Sequence, residues 1–358
     1  AAWELFPWGA KPIDPLASPV KLESCPSCGS LWKDVDPTSD SICDVCGEPA
    51  NQIDLYQPLG FRTNYRTDDY DDNIEDTNTS TLVQIVLEKP ALRSEQVGPC
   101  SLEIYEQGSR YVINNNFGKS FEISRLADGT AIVPDKGLYP NRFFLPNTGT
   151  SATFTGAFGT VCTTDIMTIE LKGLLGAGYD GVIPLSKDDM PAGRSAMISF
   201  AQAFRKEAAR HLDVDSEELD VGIEPRKIGA LYSGRIYLAD SLENGAGYAG
   251  FLGNPKEFQQ VLEKLQVTCT RFMSEKHMER CDRSCPDCLM SYENRRDHPF
   301  LDWRLAVDMA ELAIGKELDT SRWFDRQQTL ISAFLDTFQH VSGMGSLEEL
   351  TVGGSLAL

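Results

Sequence analysis

The chain has 358 residues, 41% of them hydrophobic and 24% charged, with a formal net charge of −20. That length holds two or three domains with a sizeable core in an ordinary globular composition, and no apolar run approaches the ~20 residues of a membrane-spanning helix. So acidic a surface is repelled by the phosphate backbone, which excludes broad nucleic-acid binding and leaves only local contacts or contacts through a basic partner.

No signal peptide opens the chain and its first residue is Ala1, which points to a fragment or a trimmed start. Seven of the ten cysteines fall in two short-spaced clusters. That is the pattern of metal binding in a reducing cytoplasm rather than of secreted disulfides.

In chain order, residues 1–20 carry Trp3, Phe6 and Trp8 among prolines and read as an extended arm. Residues 21–60 hold Cys25-Pro-Ser-Cys28 and Cys43-Asp-Val-Cys46, each followed by glycine. Two such turns form a zinc ribbon, and four thiolates on one ion leave no open coordination position for catalysis. The acidic run at 68–76 reads as a solvated loop.

From about 80 to 135, runs such as TLVQIVLE, SLEIYEQ, RYVINNN and SFEISRL alternate between apolar and polar residues. They predict an antiparallel meander or small barrel, with turns at Gly108 and at 114–118. Residues 136–160 read as a Gly/Pro/Thr-rich connection. The last part alternates strands (CTTDIMTIELK, LDVGIEP, RIYLAD) with helices over 195–212, from Asn254-Pro255 onward, and over LDWRLAVDMAELAIG. Residues 341–358 read as a frayed tail.

The expected fold is therefore mixed α+β. It comprises a ribbon over 21–60, a β-rich domain over 61–150, and an α/β domain over 151–340 carrying a second zinc site. In that site Cys281, Cys285 and Cys288 form a C-x3-C-x2-C turn. The expected fourth ligand is His298, between the turn and the following helix, with Cys269 as the alternative. Cys100 and Cys162 read as buried small apolar residues. His211 and His340 read as helix-surface residues. Basic residues gather around the turn at Arg271, Lys276, Arg280, Arg283, Arg295, Arg296 and Arg304, with Tyr292 adding an aromatic face. Arg280, Arg283, Arg295 and Arg296 are the expected nucleic-acid contacts, against the plainer reading that these arginines pair with neighbouring carboxylates.

Three motifs carry less than they suggest. GAGYAG at 245–250 satisfies the dinucleotide pattern, but SLEN separates it from its strand. NNNFGKS at 114–120 lacks the first glycine of a phosphate-binding loop and sits in a predicted hairpin, so there is no ATP site and no motor. Asp165, Glu170 and Lys172 echo a nuclease set, but strand alternation puts Asp165 on the opposite face.

The blocks YQPLGFRTNY, GTVCTTDIMTIEL, RIYLADSLENGAGYAGFL and CDRSCPDCLMSYENRRDHPFLDWRLA, following a zinc ribbon, resemble the helicase-associated zinc-binding domain of MrfA-type helicases. Within that group the chain resembles the DrmB-like subunits of DISARM antiphage defence, over nearly everything from Cys25 to Gly315. The resemblance implies a non-catalytic accessory module that docks on a DrmA-like superfamily 2 helicase and helps it engage DNA. MrfA-type domains use four cysteines for zinc, whereas the matching turn here shows three. Similar domains form the C-terminal part of large Druantia-type defence helicases, so such a region is one alternative. A metal-dependent nuclease using Asp165, Glu170, Glu224 or Asp240 is the other.

Overall fold

The computed structural model describes residues 3–5, 19–33, 41–57, 61–62, 81–116, 118–126, 131–133, 150–172, 191–228, 231–339, 350–352 and 355–357. The acidic run at 68–76, most of the 1–20 arm and His340 lie outside the described residues. The strands are β1 (Trp3–Leu5), β2 (Val20–Ser24), β3 (Leu31–Lys33), β4 (Asn51–Tyr56), β5 (Phe61–Arg62), β6 (Thr81–Val86), β7 (Arg93–Val97) and β8 (Cys100–Asn114). After them come β9 (Phe121–Leu126), β10 (Ala131–Val133), β11 (Thr150–Leu171), β12 (Leu219–Ile228), β13 (Leu231–Asp240), β14 (Leu350–Val352) and β15 (Ser355–Ala357). The helices are α1 (Pro191–Leu212), α2 (Tyr248–Leu252), α3 (Pro255–Phe272), α4 (Glu275–Met278), α5 (Trp303–Ala313) and α6 (Phe324–Gln339).

The architecture is the expected mixed α+β. Among the described residues thirteen strands join one sheet whose spine is β11. Along its 22 residues β11 pairs with β9, then in parallel with β4, then with β8, and near its end with β13. Because β4 belongs to the ribbon, the N-terminal metal module is stitched into the sheet through β4 and β11. The sheet crosses the positions 60 and 150 at which the sequence suggested domain boundaries.

Several local expectations change. Residues 150–160, read as a connection, belong to β11, whose Thr- and Phe-rich alternation is interrupted by Gly156 and Gly159. Gly108 ends no strand. SLEIYEQ and RYVINNN are one strand, β8, broken by a bulge in which Glu106 and Gln107 face Asp165 alone, with Gln107 at φ 61°. Glycine follows because a Cβ at position 108 would sit 2.4 Å from the Ile166 side chain. The turn at 114–120 joins no hairpin: β8 and β9 both pair with successive stretches of β11. In the tail, β14 and β15 pair antiparallel. In the arm, β1 lies between β10 and β5.

One face of the sheet holds Met167, Ile169 and Leu171 of β11, Leu102 and Ile104 of β8, and Ile236 and Leu238 of β13. Helices α1, α3 and α5 cover this face, burying Met197, Phe200 and Phe204, then Phe258, Leu262 and Leu265, then Val307 and Met309. Helix α3 starts where Asn254 accepts from the Lys256 amide with Pro255 in the first turn, and its apolar residues recur every three or four positions. Cys100 lies in this core, where burial pushes its thiol up to about 12, whereas Cys162 is only half-buried.

Phe204 sits in the middle of this core, 5.4 Å ring to ring from Phe258 and 6.0 Å from Phe200. Phe204→Ala is expected to cost about 3–5 kcal/mol, read as a lower urea midpoint. An unchanged midpoint would contradict the packing of α1 on the sheet.

Candidate metal centres

The first tetrad grows out of two matching turns. After β2 the Gly29 amide donates to the Cys25 carbonyl at 2.9 Å, and before β4 the Gly47 amide donates to the Cys43 carbonyl at 2.8 Å. Both glycines adopt left-handed backbone, φ 85° and 78°, which turns each pair of thiols towards one point. Cys25 and Cys46 sulfurs lie 3.4 Å apart, and those of Cys28 and Cys43 3.6 Å apart. A tetrahedron with Zn–S arms of ~2.3 Å has edges of about 3.8 Å, so the four thiols fit one zinc ion.

The second tetrad is His277, Cys281, Cys285 and Cys288, and in neither tetrad are any two ligand atoms more than 4.8 Å apart. Cys288 Sγ lies 3.8 Å from Cys281 and 3.6 Å from Cys285, and His277 Nε2 lies 3.6 Å from Cys285. The mixed N–S edge of a zinc tetrahedron is also about 3.6 Å. His277 Nδ1 donates to the Phe272 carbonyl at 2.8 Å, which fixes the tautomer that leaves Nε2 free to ligate. Burial pushes the Cys281 thiol well up and that of Cys288 to about 11, so a divalent cation is needed to draw off the protons and hold the thiolates.

This arrangement corrects the expected fourth ligand. His298 Nε2 instead faces the Ser291 carbonyl at 3.0 Å and Asn294 Oδ1 at 2.9 Å, bracing the loop after the turn. Cys269 is buried among the apolar residues of α3 and its thiol is pushed up to about 12. The missed signal was H-x3-C: His277 stands one helical turn before Cys281, at the i, i+4 spacing that aligns two side chains.

Three polar residues of α1 hold the second knuckle. Ser199, Gln202 and Lys206 are spaced three and four apart, on one stripe of the helix. Ser199 Oγ accepts from the Asp302 amide at 3.0 Å, and Gln202 donates to Asp297 at 2.9 Å. Lys206 Nζ donates to the carbonyls of Cys288 and Met290 at 2.8 and 3.0 Å. From α5, the Trp303 indole N–H donates to the Cys281 carbonyl at 3.2 Å and its ring packs edge-on against His277.

The basic residues divide. Arg283 and Arg304 both face Asp302, the carboxylate that caps α5, at 3.7 and 3.8 Å. Arg296 donates to the Thr81 carbonyl at 2.9 Å, and Arg271 to Thr268 at 2.7 Å. Lys276 and Arg280 are exposed and take part in no ion pair among the described residues. Arg295 stacks on Tyr292 with its guanidinium carbon 3.8 Å from the ring centre.

The carboxylates considered for nuclease chemistry do not converge on a metal position. Glu224 and Glu103 both pair with Arg235, and Glu170 faces Arg226 at 3.5 Å and Lys172 at 3.7 Å. Asp240 accepts from the amides of Ala246, Tyr248 and Ala249 at 2.8–3.0 Å. The amides of the GAGYAG loop that a dinucleotide phosphate would need are therefore occupied by the chain's own carboxylate. Among the described residues the two tetrads are the groups able to hold a metal. His211, expected on the helix surface, has a largely buried side chain with Nε2 2.8 Å from Glu257.

A family model described as the MrfA Zn-binding domain matches residues 200–289. The match contains all four members of the second tetrad and ends before His298. The Druantia protein DruE of Escherichia coli (strain UMEA 4076-1) is 26% identical over 123 residues, which is 33% of this chain and 6% of that protein. Among solved structures, the DUF1998 helicase MrfA bound to DNA is similar with a TM-score of 0.37 and 11% identity, over 65% of this chain and 25% of that one. MrfA bound to DNA and AMPPNP is similar with a TM-score of 0.24 and 11% identity, over 58% of this chain and 26% of that one. The chain thus spans a small part of the length of each relative it matches.

The purified chain is expected to hold two zinc ions by plasma mass spectrometry, one per tetrad. His277→Ala and Cys281→Ser should each remove one ion, whereas His298→Ala and Cys269→Ser should keep both. Loss of zinc from His298→Ala with retention in His277→Ala would restore the sequence-based ligand set.

Proposed function

We propose that this chain is a zinc-stabilised accessory module of a superfamily 2 helicase in antiphage defence, of the DrmB-like kind, which helps a DrmA-like partner engage DNA in the cytoplasm. The observation that carries the reading is the second tetrad lying wholly inside the stretch that matches the MrfA Zn-binding domain. Each tetrad offers four protein ligands, which supports a structural rather than a catalytic role for both metals. In this reading the module lacks chemistry of its own, and ATP hydrolysis belongs to the helicase. Seven of its ten cysteines lie in the two metal tetrads, a usage that a reducing compartment favours.

The DruE similarity favours a second reading, in which the sequence is a region of a longer Druantia-type helicase and the motor lies in the same polypeptide. Both readings assign the same work to the module and differ in whether the helicase is a separate chain.

Co-expression with a DrmA-like helicase is expected to yield a stable complex whose DNA-stimulated ATP hydrolysis exceeds that of the helicase alone. The isolated chain should show neither ATP hydrolysis nor DNA cleavage with Mg²⁺ or Mn²⁺. Cleavage by the isolated chain that Glu170→Ala abolishes would overturn the proposal in favour of a nuclease.

A further inference from the structure

The loop that follows the second tetrad, residues 289–300, is built to hold its shape. Asn294, only 4% exposed, accepts from the Ser291 amide at 2.8 Å and donates to the Leu289 carbonyl at 2.9 Å. His298 closes the loop from within, and Lys206 and Gln202 fasten it to α1. Two aromatic residues nevertheless project from this braced loop: Tyr292 is 66% exposed and Phe300 44% exposed. Arg295 covers one face of the Tyr292 ring. Glu293, Asn294, Arg296, Asp297 and Phe300 of the same loop line a cleft of about 1030 Å³ together with residues of the first zinc knuckle and β6, and Tyr292 and Arg295 stand beside that lining.

Charge decides what kind of ligand this surface suits. Arg283 and Arg304 share Asp302, and Asp282 takes Arg326. Glu293, next to Tyr292 in the chain, lies near Glu217, and both carboxylates line the cleft. Arg295, like Lys276 and Arg280 before the turn, has no ion-pair partner among the described residues, but so few cations against a net charge of −20 give little hold on a duplex backbone. A single strand carries phosphates too, but its unpaired bases can add stacking on an aromatic ring that a duplex cannot offer, and stacking tolerates any sequence because every base has a π face. A rigid, arginine-backed tyrosine suits that mode, since little side-chain entropy is lost when a base settles on it.

We propose that the 289–300 loop is a stacking platform for single-stranded DNA, with Tyr292 taking an unpaired base, Arg295 the adjoining phosphate, and the strand passing from Tyr292 to the cleft wall at Phe300. This rests on the DNA-engaging role proposed above and adds to it the form of DNA and the place.

The test uses the full zinc-loaded chain with fluorescent single-stranded and duplex oligonucleotides of one sequence. Tyr292→Ala is expected to weaken single-strand binding by about five- to a hundredfold, while Tyr292→Trp preserves it. Duplex binding should be weaker at the start and unmoved by either change. Arg295→Ala should lower the salt slope for the single strand by about 0.7, and Tyr292→Ala should leave it unchanged. Zinc content must remain at its wild-type value in each variant, so that a lost loop is not mistaken for a lost contact. Equal affinity for both DNA forms with no effect of Tyr292→Ala overturns the platform and leaves the DNA-engaging role standing. No DNA binding by the chain, and none added to the helicase complex, overturns both. Loss of helicase capture in Tyr292→Ala with unchanged DNA affinity makes this a protein-docking surface and also overturns the platform.

Discussion

Four side chains from a short helix and the turn after it meet within reach of one ion, and the C-terminal half of the molecule is arranged around that meeting. His277 comes from α4, with its ring set by the Phe272 carbonyl at the end of α3. Cys281, Cys285 and Cys288 come from a turn with little regular structure of its own. Without a cation, buried thiols whose ionisation is suppressed have no reason to cluster. Structural zinc contributes roughly 10–16 kcal/mol in small zinc-finger peptides. That is as large as the whole net stability of a typical domain, about 5–15 kcal/mol. The knuckle is therefore the point at which α3, α4 and α5 are fixed to one another.

That constraint reaches further through the polar stripe of α1. A helix packed on a sheet ordinarily buries apolar residues, yet Ser199 and Gln202 are buried and Lys206 is half-buried. Each finds its partner in the segment from Cys288 to Asp302. A buried polar group without a partner costs about 1–3 kcal/mol, so the stripe specifies one position of the loop against the helix. Trp303 does the same from α5, combining an indole hydrogen bond to the Cys281 carbonyl with an edge contact to the ligating imidazole. The surface that carries Tyr292 and Arg295 thus inherits its rigidity from the metal and from α1 together.

Much of this was legible in the sequence. The two CxxC turns with trailing glycines foretold the ribbon tetrad, and alternation placed Met167, Ile169 and Leu171 on the face that became the core. The cap at Asn254-Pro255 marked the start of α3. What stayed hidden depended on contacts distant in sequence. His298 was favoured over His277 because it lies between the turn and the next helix, but its ring nitrogen is needed inside the loop. The spacing of Ser199, Gln202 and Lys206 was visible, but it gained meaning only with a partner nearly a hundred residues away. The bulge at Gln107 imitated a turn because a single glycine serves both purposes.

The central claim is that His277, and not another histidine, closes the second metal site. Replacing zinc with NMR-active cadmium in the intact chain tests it through metal–proton scalar coupling. The account predicts that exactly one of the two cadmium signals couples to ring protons, and that these belong to His277. Coupling to His298, or no coupling to any histidine, would contradict it.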